Sequence, residues 1–255
     1  MKWVRDEVLS GKFFGGAWLS LGSAVAAEIA GQAGFDWLLL DMEHGCGDYG
    51  DLMRQIQALG SSTSRAIVRV PIAEASVFKR VLDMGPAGLM IPNVTSPEMA
   101  RHVVDIARIW PKGSRGLAQT TRASGYGASY EDYRASVNDG LLLVGQIESQ
   151  EAIEKIDDIA SVDGIDVLFV GPLDLSTDLG TDNESPEFLE AITRVADAAR
   201  NHGKAAGVLV RNNRQANDYQ ARGYTFIAMG SDRGLIISGM KKNAEFFATL
   251  PARRA

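Results

Sequence analysis

Asp41, Glu43 and His44 cluster just past one apolar run of the sequence, and Arg69, Gln146, Glu148 and Asp174 each sit at the end of another. Glu148 closes Leu-Leu-Leu-Val-Gly-Gln-Ile-Glu, and Gln146 shares its face if that run is a strand, because strand side chains alternate with period two. A carboxylate buried at such a position needs a cation, either the Arg69 guanidinium or a metal. Asp174, in Val-Gly-Pro-Leu-Asp-Leu-Ser, offers a second carboxylate where glycine and proline turn the chain. Two carboxylates with open coordination positions suit Mg²⁺ or Mn²⁺, and no Cys or His cluster of the kind zinc prefers is present. On spacing alone, a structural salt bridge with Arg69 accounts for the two acids as well as a metal does. His44 lies in the glycine-flanked Asp-Met-Glu-His-Gly, and an unperturbed imidazole, with a pKa of ~6.5, suits proton transfer near neutrality. Arg69 could stabilise a developing oxyanion. Cys46 reads as a small apolar residue rather than a nucleophile, since nothing orients a Cys–His pair.

These side chains need a scaffold that brings the ends of several strands to one place. Short apolar runs at 13–19, 37–41, 66–70, 88–91, 141–148, 167–170, 205–210 and 225–229 are flanked by glycine, aspartate or proline. Segments such as 76–84, 96–109, 152–159 and 186–202 carry apolar residues at helical spacing between them. Ser96-Pro97-Glu98 and Ser185-Pro186-Glu187 have the form of helix starts. The alternation is that of a parallel βα sheet, and runs such as Trp-Leu-Leu-Leu are apolar on both faces, as strands covered on both sides must be. About eight such units predict a closed (β/α)8 TIM barrel, with an open doubly wound sheet as the structural rival; a barrel places its chemistry at the carboxyl ends of its strands. Residues 113–138 break the pattern, and a long loop of this kind predicts a binding role, with Arg122 and Tyr126 as possible contacts for a substrate.

Composition narrows the function. A chain of 255 residues with 45% hydrophobic residues predicts one barrel domain over residues 1–255. The net charge of −6 argues against nucleic acid as a partner, so a small metabolite is expected. The single cysteine can form no intrachain disulfide, and no run approaches the ~20 apolar residues of a membrane span. A cytoplasmic location is the expectation.

At the chemical residues the chain resembles the class II, metal-dependent pyruvate aldolases of the HpcH/HpaI type, which include 4-hydroxy-2-oxoheptanedioate and 2-keto-3-deoxy-sugar-acid aldolases. The likeness rests on the stretches at 35–44, 68–71, 81–85, 146–149 and 171–176, in family order. It implies a barrel of the phosphoenolpyruvate/pyruvate type, with Glu148 and Asp174 as ligands of a divalent cation (Mg²⁺, Mn²⁺ or Co²⁺) chelated by pyruvate. Gln146, Arg69 and the backbone amides of Leu173 and Asp174 would grip the substrate. His44 would act as base, Asp83 would raise its basicity, and Arg69 would stabilise the enolate. The reaction implied is reversible aldol addition between pyruvate, or a close 2-oxo acid such as hydroxypyruvate, and an aldehyde. The resemblance also implies a homo-oligomer, a hexamer built as a dimer of trimers, whose last helix, here at 239–250, is exchanged between subunits. The chain departs from the family where Gly45 and Cys46 follow His44, at the position where the aldehyde should bind.

Two rival functions keep the barrel. A CoA-thioester lyase of the citramalyl- or malyl-CoA type would want a basic surface for the coenzyme phosphates, and the sequence offers none. A non-catalytic barrel that binds a keto acid is the other. The loop from Met229 to Gly234 lies where barrels often bind phosphate, and is read as structural.

Overall fold

The computed structural model describes residues 3–250. Eight parallel strands close on themselves in sequence order, with β1 (Phe14–Leu19) hydrogen-bonded to both β2 (Trp37–Asp41) and β8 (Tyr224–Ser231). Between them run β3 (Arg65–Arg69), β4 (Gly88–Ile91), β5 (Leu142–Ile147), β6 (Val167–Val170) and β7 (Ala205–Val210). The doubly wound alternative is thereby removed. No helix among the described residues is long and apolar enough to cross a membrane.

Helices follow the strands where the spacing predicts them. Pro97–Ala107 and Pro186–Asn201 start as read, with Ser96 Oγ accepting from the Met99 N–H at 3.1 Å and Ser185 Oγ from the Phe188 N–H at 3.1 Å. The segment expected as one helix at 152–159 is two short ones, Gln150–Glu154 and Ile156–Ala160, broken at Lys155.

The core has two compartments that follow the strand alternation. Leu38, Leu40, Val68, Leu143 and Ile147 face outward to the helices, whereas Trp37, Leu39, Ile67, Leu142, Val144, Phe169 and Phe226 fill the barrel. Inside, the Trp37 and Phe226 rings stack with centroids 4.0 Å apart, and Phe169 meets both edge-on. Gly16 of β1 makes room for this plug, because a Cβ there would collide with the Trp37 indole. On each inward face the apolar residues stop near the carboxyl end of the strand. Asp41 follows Leu39, Arg69 follows Ile67, and Gln146 and Glu148 follow Val144.

The segment before β5 differs from expectation. Its 3-10 turn, Arg122–Ser124, is held to the amino end of the barrel: Ala123 N–H donates to the Asp83 carbonyl at 3.0 Å, and Arg122 Nη1 to the Met84 carbonyl at 2.6 Å. Arg122 and Tyr126 line a groove there with Arg65, Ala66 and Ala87, so within one chain they do not meet a substrate at the carboxyl-end mouth.

Candidate active site

Arg69 is the fixed point of the mouth. It is the register partner of Asp41 in the adjoining strand, and its Nε and Nη2 donate to Asp41 Oδ1 and Oδ2 at 2.9 and 2.7 Å in a bidentate pair. Its Nη1 meets Glu43 Oε2 at 2.9 Å, and the guanidinium carbon lies 5.2 Å from the Trp18 ring centroid. Asp41 Oδ1 also accepts from the backbone N–H groups of Glu43 and His44 at 3.1 and 3.2 Å, which shapes the loop carrying His44. Burial pushes the Asp41 carboxyl up, but Arg69 and these two amides outweigh it and hold the group below its ordinary range.

Glu148 is the opposite case. It is 7% exposed, its Oε1 has no hydrogen-bond partner, and the Gln146 Oε1 beside it on the inward face of β5 is likewise unpartnered. Burial, then repulsion from Asp174 and Glu43, raises its carboxyl to about 7 against a weaker pull from Arg69. Because Arg69 is taken by Asp41 and Glu43, it does not neutralise Glu148, and the salt-bridge alternative loses its cation. Gly171 lets the chain pass tightly over this carboxylate; a Cβ there would stand 2.9 Å from Glu148 Cγ. The helix Pro172–Asp178 begins at that point with no side-chain cap, so the first-turn amides of Leu173 and Asp174 lack intrahelical acceptors, and both residues are exposed.

His44 is exposed and lines, with Trp18, Asp41 and Arg69, a cavity of about 560 Å³ that extends to the turn after β7 and to the start of the helix Asp232–Ala248. The structure thus gathers Arg69, Gln146, Glu148 and Asp174 at one mouth, with His44 on its wall. It does not bring Asp83 there. Asp83 ends the helix Ala75–Leu82, which returns from the carboxyl end of β3 toward the amino end of β4, and its charged neighbours are Arg115 and Lys79. Burial raises its carboxyl against these two cations. No group of three or more His, Cys, Asp or Glu among the described residues is arranged to hold a metal ion. The clamp of Asp41, Glu43 and Trp18 on Arg69 is legible only once cross-strand register is known.

Residues 15–239 match the profile of the HpcH/HpaI aldolase/citrate lyase family. A 5-keto-4-deoxy-D-glucarate aldolase of Shigella dysenteriae is 40% identical over 91% of both chains. An HpcH/HpaI aldolase of Desulfitobacterium hafniense superposes with a TM-score of 0.92 at 26% identity over 100% of both chains. An HpcH/HpaI aldolase/citrate lyase family protein of Burkholderia cenocepacia does so at 0.91 and 33%, over 96% of this chain and 99% of that one. A buried, unpaired glutamate at the carboxyl-end mouth of a (β/α)8 barrel, and relatives of this identity over nearly the whole chain, lead to one assignment: the chain belongs to the HpcH/HpaI aldolase/citrate lyase family and is an aldolase.

Proposed function

We propose that this aldolase is a class II enzyme that holds a divalent cation (Mg²⁺, Mn²⁺ or Co²⁺) on Glu148 and Asp174 and joins or parts pyruvate, or a close 2-oxo acid, and an aldehyde. Glu148 supports the reading most: a buried carboxylate with an unpartnered oxygen and two acids as neighbours carries a cost that a cation would offset. The donor set fits, because carboxylate oxygens suit hard cations that keep positions for water and substrate oxygens. When bound, such a cation withdraws electron density from the keto oxygen of a 2-oxo acid and acidifies the adjacent methyl.

The chain's own groups do the rest. The amides of Leu173 and Asp174 and the buried Gln146 carboxamide bind and orient the 2-oxo acid. Arg69, unable to swing because Asp41 and Glu43 grip all three of its nitrogens, presents fixed positive charge where negative charge develops. His44 takes the hydroxyl proton as the carbon–carbon bond breaks and returns it in the addition direction. Asp83 lies at the other end of its own barrel, so it can serve His44 only from a second copy. A homo-oligomer, the hexamer expected of the family, would deliver it. The helix Asp232–Ala248, whose Leu235, Ile237, Met240, Phe246 and Phe247 are all exposed, is the element to exchange between subunits. We place the enzyme in the cytoplasm and take a keto-deoxy sugar diacid, as in the relatives' name, as the substrate class.

Exchange of pyruvate methyl protons into D2O, followed by NMR with Mg²⁺ and then with excess chelator, tests the reading. Exchange should need the metal and disappear in Glu148→Gln; exchange that survives chelation sinks the proposal.

A further inference from the structure

We propose that Arg233, assisted by Arg211, selects aldehydes that carry an anionic group and so sets the specificity of the reaction on the aldehyde side. The inference rests on the aldolase reading above. Arg233, in the first turn of the helix Asp232–Ala248, and Arg211, in the turn after β7, line the same cavity of about 560 Å³ as His44 and Arg69. Asp41 is the one acid lining that cavity among the described residues, and its oxygens are already engaged by Arg69 and two backbone amides.

Neither arginine has a carboxylate partner among the described residues. Arg233 Nη2 donates to the carbonyls of Ser20 and His44 at 3.2 and 3.4 Å and lies 3.2 Å from Cys46 Sγ, while its Nε and Nη1 have no partner among the described residues. The adjacent Asp232 cannot neutralise it. That carboxylate accepts from the Ser20 N–H and hydroxyl, the Leu21 N–H and the backbone N–H of Arg233 itself, tying the start of the helix Asp232–Ala248 to the turn after β1. The Arg211 backbone N–H donates to Gln215 Oε1 at 2.8 Å, and its guanidinium has no hydrogen-bond partner among the described residues. Other exposed arginines of the chain do find acids: Arg54 pairs with Asp51, Arg101 with Glu98, Arg200 with Asp197 and Arg214 with Glu184. In a chain with 32 acidic and 26 basic residues, two uncommitted guanidinium groups on one cavity wall mark a place kept for an outside anion.

The placement also fixes direction. The unpaired Glu148 and its neighbour Asp174 repel an anion, whereas the two arginines on the wall of the His44 cavity attract one. An aldehyde with an anionic tail is repelled by the first and held by the second, which leaves its carbonyl facing the reaction centre. Arg233 is anchored through the carbonyl of His44, so the anion site and the base sit on one connected set of loops and little ordering cost remains on binding. The shared chemistry is that of a carboxylate or a phosphate.

The test compares kcat/KM for pyruvate addition to succinic semialdehyde (carboxylate), glyceraldehyde 3-phosphate (phosphate) and propanal (neutral), with metal present. Wild type should prefer at least one anionic aldehyde over propanal. Arg233→Met should lower that preference about ten- to a hundred-fold, mostly through KM, as expected for one charge-assisted hydrogen-bonded contact. Arg211→Gln should lower it less, and Arg233→Lys should restore part of it. Which anionic aldehyde loses most identifies carboxylate or phosphate as the bound group. Pyruvate methyl-proton exchange, read without aldehyde, separates the two claims. No metal-dependent exchange in wild type overturns the aldolase reading, whereas normal exchange with no anionic preference, or with one that Arg233→Met and Arg211→Gln both leave intact, overturns the role given to the arginines.

Discussion

Glu148 and Asp166 are two buried carboxylates associated with neighbouring strands, one just past the carboxyl end of β5 and the other just before the amino end of β6, and they live in opposite circumstances. Asp166 is 1% exposed, yet its oxygens accept from Arg5 Nε at 2.8 Å and the Leu143 N–H at 2.9 Å, with Arg108 Nη2 at 3.8 Å. Burial pushes both carboxyls up. At Asp166, Arg5, the Leu143 amide and Arg108 pull back, whereas at Glu148 the neighbouring Asp174 and Glu43 add to the push. Burial alone therefore does not mark a site. The account of partners does: Asp166 is tied to Arg5 and Arg108, whereas Glu148 keeps an oxygen with no hydrogen-bond partner.

The contrast can be broken most decisively at Glu148. Glu148→Gln should cut aldol cleavage by about 10³-fold or more, the scale of several kcal/mol of lost charge stabilisation, and remove Mn²⁺ binding in a calorimetric titration. The melting temperature of the metal-free protein should hold or rise, because an unpaired buried charge is gone. A collapse in stability with metal affinity intact would turn Glu148 into a structural residue. At the other end, Asp166→Ala strands the buried Arg108 and the part-buried Arg5 and should cost about 3–5 kcal/mol in denaturant unfolding, while Mn²⁺ affinity stays as it was.

The pH dependence sharpens the same comparison. With the Glu148 carboxyl at about 7 in the folded chain and at its ordinary 4.5 when unfolded, the folded state binds more protons between those values. Stability of the metal-free protein should then fall as pH rises from about 4.5 to about 7, by roughly 3 kcal/mol, and level off above. Glu148→Gln should flatten this slope in urea unfolding measured across that range. The smallest effect is expected at the exposed Glu98, which pairs with Arg101 on the helix Pro97–Ala107: Glu98→Gln should move neither melting temperature nor metal affinity detectably.

The strand ends were legible in the sequence because glycine, proline and aspartate punctuate apolar runs, and period-two alternation carries Gln146 and Glu148 to one face. Glu148 itself lies one residue past β5, and β8 runs to Ser231 rather than 229. Three features were not legible. The Arg69–Asp41 pair depends on cross-strand register, which no local pattern specifies. Asp83 and the 3-10 turn at Arg122 lie at the amino end because a helix after a strand returns the chain to where the strand began, a fact of topology rather than of composition. Arg211 and Arg233 look like any surface arginines until the neighbouring acids are seen to be committed elsewhere.

The aromatic plug of Trp37, Phe169 and Phe226 carries a kinetic consequence. A barrel stoppered at mid-height is a blind well with one entrance, so a molecule seated against Glu148 is roofed over by the next to arrive. Binding should be compulsory in order and departure should reverse it, with the 2-oxo acid first in and last out, a sequence that product-inhibition patterns can read directly.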